Sequence, residues 1–176
     1  MSQHTRNERN ANSGIVVGID QRDVAPYGDG PDDPLAGVAF QRHWEGQAFR
    51  RGGGTYAAPA QRLGDFLVGR ASTEEGTTPV SPSEMVDPSY APGVTFTSLD
   101  GCLPESVLEA IREALPEFER TIPGFAMPGA VLTGVETRTS SPVRLPRDRT
   151  TLESANVSGL FPGGEGAGYA GGILSA

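Results

Sequence analysis

A mixed α+β fold is predicted for this 176-residue chain, and three observations predict it. Short apolar runs rich in β-branched residues, such as Ser13–Ile19 and Val131–Val135, have the length and composition of strands. Between them lie two segments with helical spacing, of which the one after Pro104 is the clearer. The 24 glycines and 15 prolines break both kinds of segment into short pieces joined by many turns.

Taken in order, the first twelve residues are polar. Ser13–Ile19, bounded by Asn12 and Asp20, reads as a buried strand. Ala25 to Pro34 is a loop whose end starts a helix, with Asp33 as the cap and Pro34 in the first turn. That helix runs from about Leu35 to Arg51, with Val38, Trp44, Ala48 and Phe49 inward, and Gly52-Gly-Gly ends it. Asp32 and Asp33 at its start and Arg50 and Arg51 at its end suit the helix dipole. A shorter helix is predicted over Pro59–Val68, with Leu63, Phe66 and Leu67 inward. Ala71 to Pro92 lacks periodicity and reads as a long surface excursion. Val94–Ser98 alternates as a strand does. After Pro104, Val107, Leu108, Ile111 and Leu115 form one apolar helix face opposite Glu105, Glu109, Arg112 and Glu113. Pro116 disturbs this helix and Pro123-Gly124 finishes it.

Charge and composition exclude several functions. A net charge of −8 opposes phosphate neutralisation, so no nucleic-acid partner is expected. All 14 basic residues are arginine, which removes Schiff-base lysines and Walker-type phosphate loops from consideration. Cys102 is the single cysteine and the histidines are His4 and His43, so no metal site is expected. The lone cysteine and the polar N-terminus suit a cytoplasmic setting. No run reaches the length of a membrane span, so no membrane partner is expected.

The chemistry concentrates at the end of the chain. From Gly163 to Gly172 the residues Gly163, Gly164, Gly166, Gly168, Gly171 and Gly172 surround one carboxylate, Glu165. An apolar lead-in (Leu160, Phe161) and exit (Ile173, Leu174) suggest a strand, a glycine turn and a helix start. Without a Cβ the backbone can approach a ligand closely. Glu165 can accept two hydroxyl hydrogen bonds, while N–H groups from Gly166 to Ile173 face an anionic group or ring edge. The competing reading is a structural turn or a flexible tail. A second candidate is Glu136–Arg144, where Arg138 and Arg144 flank hydroxyls and could clamp an anion; its alternative is a solvated hairpin.

The run from Asn156 through Ile173 resembles the closing motif of an uncharacterised family of FAD-dependent dehydrogenases. Three further segments resemble the same family: Arg9–Val17, Gly53–Leu67 and Thr133–Arg144. The resemblance implies a two-domain FAD-dependent oxidoreductase, with a partial substrate-side domain over 1–147. Residues 148–176 would be the C-terminal return segment of its FAD-binding domain. It implies FAD contacts at Gly163, Gly164, Glu165, Gly166, Ala167, Gly168, Tyr169, Gly171, Gly172 and Ile173, with Glu165 on the ribityl chain. Arg138 and His4 become the catalytic candidates, and hydride transfer through flavin to or from a small-molecule substrate the expected activity. Neither the substrate nor an oligomeric state is legible. Such proteins carry a Gly-x-Gly-x-x-Gly motif near their N-terminus for the ADP half of FAD, and no such motif stands there. The expectation is therefore a fragment truncated at both ends. The alternative is a non-enzymatic remnant or binding module that does not hold FAD by itself.

Overall fold

The computed structural model describes residues 7, 9–74, 77 and 79–171. Elements follow the order α1 (Gln21–Val24), α2 (Ala36–Arg51), β1 (Ala58–Arg62), α3 (Leu63–Leu67), β2 (Val94–Phe96), α4 (Glu105–Thr121) and β3 (Val131–Thr133), with single 3-10 turns at Ala25–Tyr27 and Pro82–Glu84. The chain forms two compact units, one of Met1–Gly18 with Trp44–Val135, the other of Ile19–His43 with Glu136–Ala176.

The first unit is built on a three-stranded mixed sheet of order β2-β1-β3. β1 pairs parallel with β2, Pro59 lying opposite Thr95, and antiparallel with β3, Gln61 lying opposite Leu132. Pro59 sits in this central strand without leaving a donor unpaired, and its carbonyl accepts the Gly134 N–H at 3.0 Å. Leu63, Phe66, Leu99, Cys102, Leu108 and Leu115 form the core, with Ile15, Ile111, Phe125 and Leu132 packed against it. α4 forms where its apolar spacing predicts, burying Val107, Leu108 and Leu115. Pro116 lies inside this helix; it is exposed and forfeits one backbone bond without ending the helix. On the same helix Arg112 pairs with Asp100 at 2.8 Å and Glu105 at 3.0 Å, and its guanidinium stacks on the Phe66 ring at 4.8 Å.

Four expectations need correction. Ser13–Ile19 is not a strand: it has no ladder partner among the described residues, and Val16 is 74% exposed. Ile15 alone of this run packs on the core. A β-branched run is stable as a strand only where a neighbouring strand satisfies its backbone. The helix predicted over Pro59–Val68 is instead β1 followed by the short α3. In the Ala58–Arg62 stretch, sheet pairing overrides weak local propensity. Leu67 and Phe49, placed inward by spacing, are exposed; α2 buries Ala48 as its spacing predicts, and Ala36 and Phe40 besides.

The excursion from 71 to 92 is held by side chains rather than by regular structure. Strand β1 and helix α3 bury four polar groups, Gln61, Arg62, Asp65 and, on the loop itself, Ser72. Asp65 accepts hydrogen bonds from Ser72 Oγ at 2.7 Å and Thr77 Oγ1 at 2.5 Å. Arg62 donates its backbone N–H to Ser72 Oγ at 2.8 Å and its guanidinium to the Glu74 carbonyl at 2.7 Å and the Val86 carbonyl at 3.3 Å. Gln61 donates to the Arg70 carbonyl at 2.6 Å and accepts from Leu99 N–H at 2.8 Å. The far end of the loop is fixed by Arg9, paired with Asp87 at 2.8 Å and donating to the Pro88 carbonyl at 2.9 Å. Among the described residues, these side chains supply hydrogen-bond partners to the backbone at Arg70, Glu74, Thr77, Val86 and Pro88, groups that regular structure leaves unpaired.

In the second unit, Asp33 accepts from Leu35 N–H at 2.8 Å and Asp29 N–H at 3.0 Å. These donors, Leu35 first, hold its carboxyl below the usual carboxylate range. The cap expected at Asp33 therefore exists, one turn ahead of the first helical residue, Ala36. Tyr27 packs edge-on against Phe40 at 5.1 Å and His43 at 5.2 Å. Gln41 donates to the Thr137 carbonyl at 2.9 Å, so the start of the 136–144 segment is fastened to α2.

Candidate functional site

The glycine turn near the end of the chain belongs to the second unit and docks on residues 141–147. The expected strand at Leu160–Phe161 does not form, and the helix expected beyond the glycine turn lies outside the described residues. Leu160 and Phe161 are exposed, and among the described residues no strand lies beside them. The chain instead closes a compact turn, with Gly168 N–H donating to the Glu165 carbonyl at 2.9 Å and Tyr169 N–H to the Gly164 carbonyl at 3.1 Å. Gly164 and Gly168 hold φ of +77° and +80°, which glycine adopts without the penalty a side chain would incur.

Docking is both backbone and side chain. Leu145 N–H donates to the Ala167 carbonyl at 3.1 Å, and Ser141 Oγ lies 3.2 Å from the Gly166 carbonyl. Tyr169 donates its hydroxyl to the Leu145 carbonyl at 2.8 Å. Its ring carries two guanidiniums, Arg144 with Cζ 4.6 Å and Arg147 with Cζ 3.8 Å from the centroid. Arg147 also donates to the Pro162 carbonyl. Ala167 is buried by this docking. A Cβ on Gly168 would stand 2.7 Å from the Val143 carbonyl oxygen and 3.0 Å from Arg144 Cα. Gly168→Ala should therefore loosen the turn by about 2 kcal/mol, combining left-handed strain with a backbone clash. The expected result is hydrogen exchange at the Leu145 amide about thirtyfold faster than in the wild type.

The exposed side of the turn differs from its docked side. Glu165 is exposed, and among the described residues its carboxylate has no hydrogen-bond or ion-pair partner. A Cβ built on Gly163, Gly164, Gly166 or Gly171 meets nothing within 4 Å, so a ligand can reach the backbone there. Of the amides expected to face a ligand, those of Gly168 and Tyr169 are consumed inside the turn. The half-buried Tyr169 ring carries the Arg144 and Arg147 guanidiniums. Gly172, Ile173 and His4 lie outside the described residues. Arg138 is exposed on the segment after β3. The arginine brought alongside Arg144 is Arg147, which spacing within Glu136–Arg144 did not single out. The signal for it was Tyr169, an aromatic among glycines with arginines upstream, whose pairing only folding reveals.

Among the described residues no group of three or more His, Cys, Asp and Glu side chains could hold a metal ion, and no helix is long and apolar enough to cross a membrane. Cys102 is fully buried, and burial, above all else, pushes its thiol up, which leaves it less thiolate and less reactive.

Residues 1–139 match the family described as FAD-dependent protein, C-terminal domain-like, and the chain belongs to that family. Over all 176 residues it is 49% identical to an uncharacterized protein of Clostridium beijerinckii. The chain spans 30% of that relative's length.

Proposed function

We propose that this chain forms the C-terminal part of an FAD-dependent oxidoreductase and contributes its glycine turn to the ribityl–isoalloxazine end of the cofactor. The observation that carries this reading is the exposed Glu165 carboxylate, without a partner among the described residues and set among glycines whose outer face is open, in a chain of an FAD-dependent family. The residues fit a polyhydroxyl chain: Glu165 would accept from two hydroxyls, and the backbone at Gly163 and Gly166 would approach without steric hindrance. They fit an extended contact with the ring system less well, since Gly168 and Tyr169 are turned inward.

FAD, when bound, would supply the hydride chemistry, and the protein its position and electrostatics. Arg138 is retained as a cation on the substrate side, suited to orienting an anionic substrate group. The ADP half of the cofactor would be met by sequence beyond this chain, a reading supported by the 30% coverage of the longer relative. The self-closed hydrogen bonding of the turn favours one alternative, a binding module in which the turn serves only to dock on residues 141–147.

FAD titration followed by flavin fluorescence tests the reading. Glu165→Ala should weaken binding at least about tenfold, the loss of one charge-assisted hydrogen bond. Equal affinity in variant and wild type, or no binding by either, would favour the docking module.

A further inference from the structure

We infer that Arg144 and Arg147, stacked on Tyr169, form a binding site for a phosphoryl oxyanion. In a chain with 22 acidic residues, neither guanidinium makes an ion pair among the described residues, so both charges are available to an anion. Both stand on one aromatic ring, at 4.6 Å and 3.8 Å from its centroid. Tyr169 in turn is pinned through its hydroxyl to Leu145, between them in sequence. Cation–π packing spends the face of a guanidinium and leaves its N–H edge for a ligand. Arg147 uses one nitrogen on the Pro162 carbonyl, which fixes its position and leaves its other donors. Two like charges held on one ring repel each other, and an anion bridging them removes that repulsion. Because the arrangement is fixed by packing, little side-chain entropy remains to be lost on binding. A phosphoryl or pyrophosphoryl group, with several anionic oxygens for two forked donors, suits this better than a carboxylate with two. The site goes beyond the flavin reading and does not require it, since the phosphoryl group can belong to FAD or to a separate substrate.

The test is a thermal-shift and calorimetric titration of the full chain with inorganic pyrophosphate, against sodium chloride at matched ionic strength. A saturable response is expected for pyrophosphate. Arg144→Gln and Arg147→Gln should each weaken it at least about tenfold, and Arg144→Lys, which keeps charge but loses the fork, by a smaller factor. If Arg147→Gln does not fold, the exposed Arg144 variants decide alone. Absence of a saturable response beyond that of sodium chloride would overturn the site, as would unchanged affinity in the Arg144 variants. Competition separates the sources: displacement of pyrophosphate by FAD but not by riboflavin assigns the phosphoryl group to the cofactor. Displacement by neither assigns it to another ligand. Failure of the Glu165→Ala flavin test leaves this result standing, because no flavin enters the pyrophosphate measurement.

Discussion

Phe66→Ala is expected to lower the unfolding free energy by about 4 kcal/mol, read from the midpoint of a urea or guanidinium transition at unchanged slope. Phe66 has no exposed surface and sits in the core with Leu63, Leu108 and Leu115. Truncation removes the aromatic area and leaves a cavity that sheet and helix cannot both collapse into. It also removes the ring on which Arg112 stacks, so the ion pairs of Arg112 with Asp100 and Glu105 lose one of their supports. Phe66→Leu keeps most of the volume and should cost less than half as much. Equal losses for both variants would show that aromatic stacking, and not volume, dominates.

Asp65→Asn is expected to cost about 3 kcal/mol, although it changes almost no volume. Asp65 has no exposed surface and accepts from the Ser72 and Thr77 hydroxyls and, at 3.3 Å, from Thr77 N–H. An amide presents two donors of its own where the loop supplies donors, so at least one buried group loses its partner. The effect should be concentrated in the excursion. Limited proteolysis should cut between Ala71 and Pro92 well before the rest of the chain in the variant, whereas in the wild type the loop should resist. Retention of wild-type resistance would mean that Arg62 and Arg9 hold the loop without Asp65.

These two neighbours on α3 show why part of the fold was legible and part was not. The α4 face and the strands at Val94–Phe96 and Val131–Thr133 were readable, because the local spacing and residue types of each announce its element whatever it packs against. The same reasoning placed a strand at Ser13–Ile19, where no ladder partner is present among the described residues. It made a helix of Pro59–Val68, because proline at a first helical turn and the 63/66/67 spacing imitate one. Nothing local reveals that Ala58–Arg62 lies between two strands drawn from more than 30 and 60 residues further on. The burial of Gln61, Arg62 and Asp65 was equally hidden, since polar residues become core residues only when a distant loop brings their partners.

The end of the chain divides in the same way. The residues present exclude lysine chemistry, and their order marks a glycine turn bearing one carboxylate and carries the family resemblance. Folding determines which side of that turn is open. Glu165 faces outward, while Gly168 and Tyr169 close on the 141–147 segment, and Arg147 joins Arg144 over one ring across a gap of more than twenty residues. Residue identity and spacing specify the available donors and acceptors. Which of them are spent on each other is settled by contacts between distant segments, and the groups left over are those that can serve a ligand.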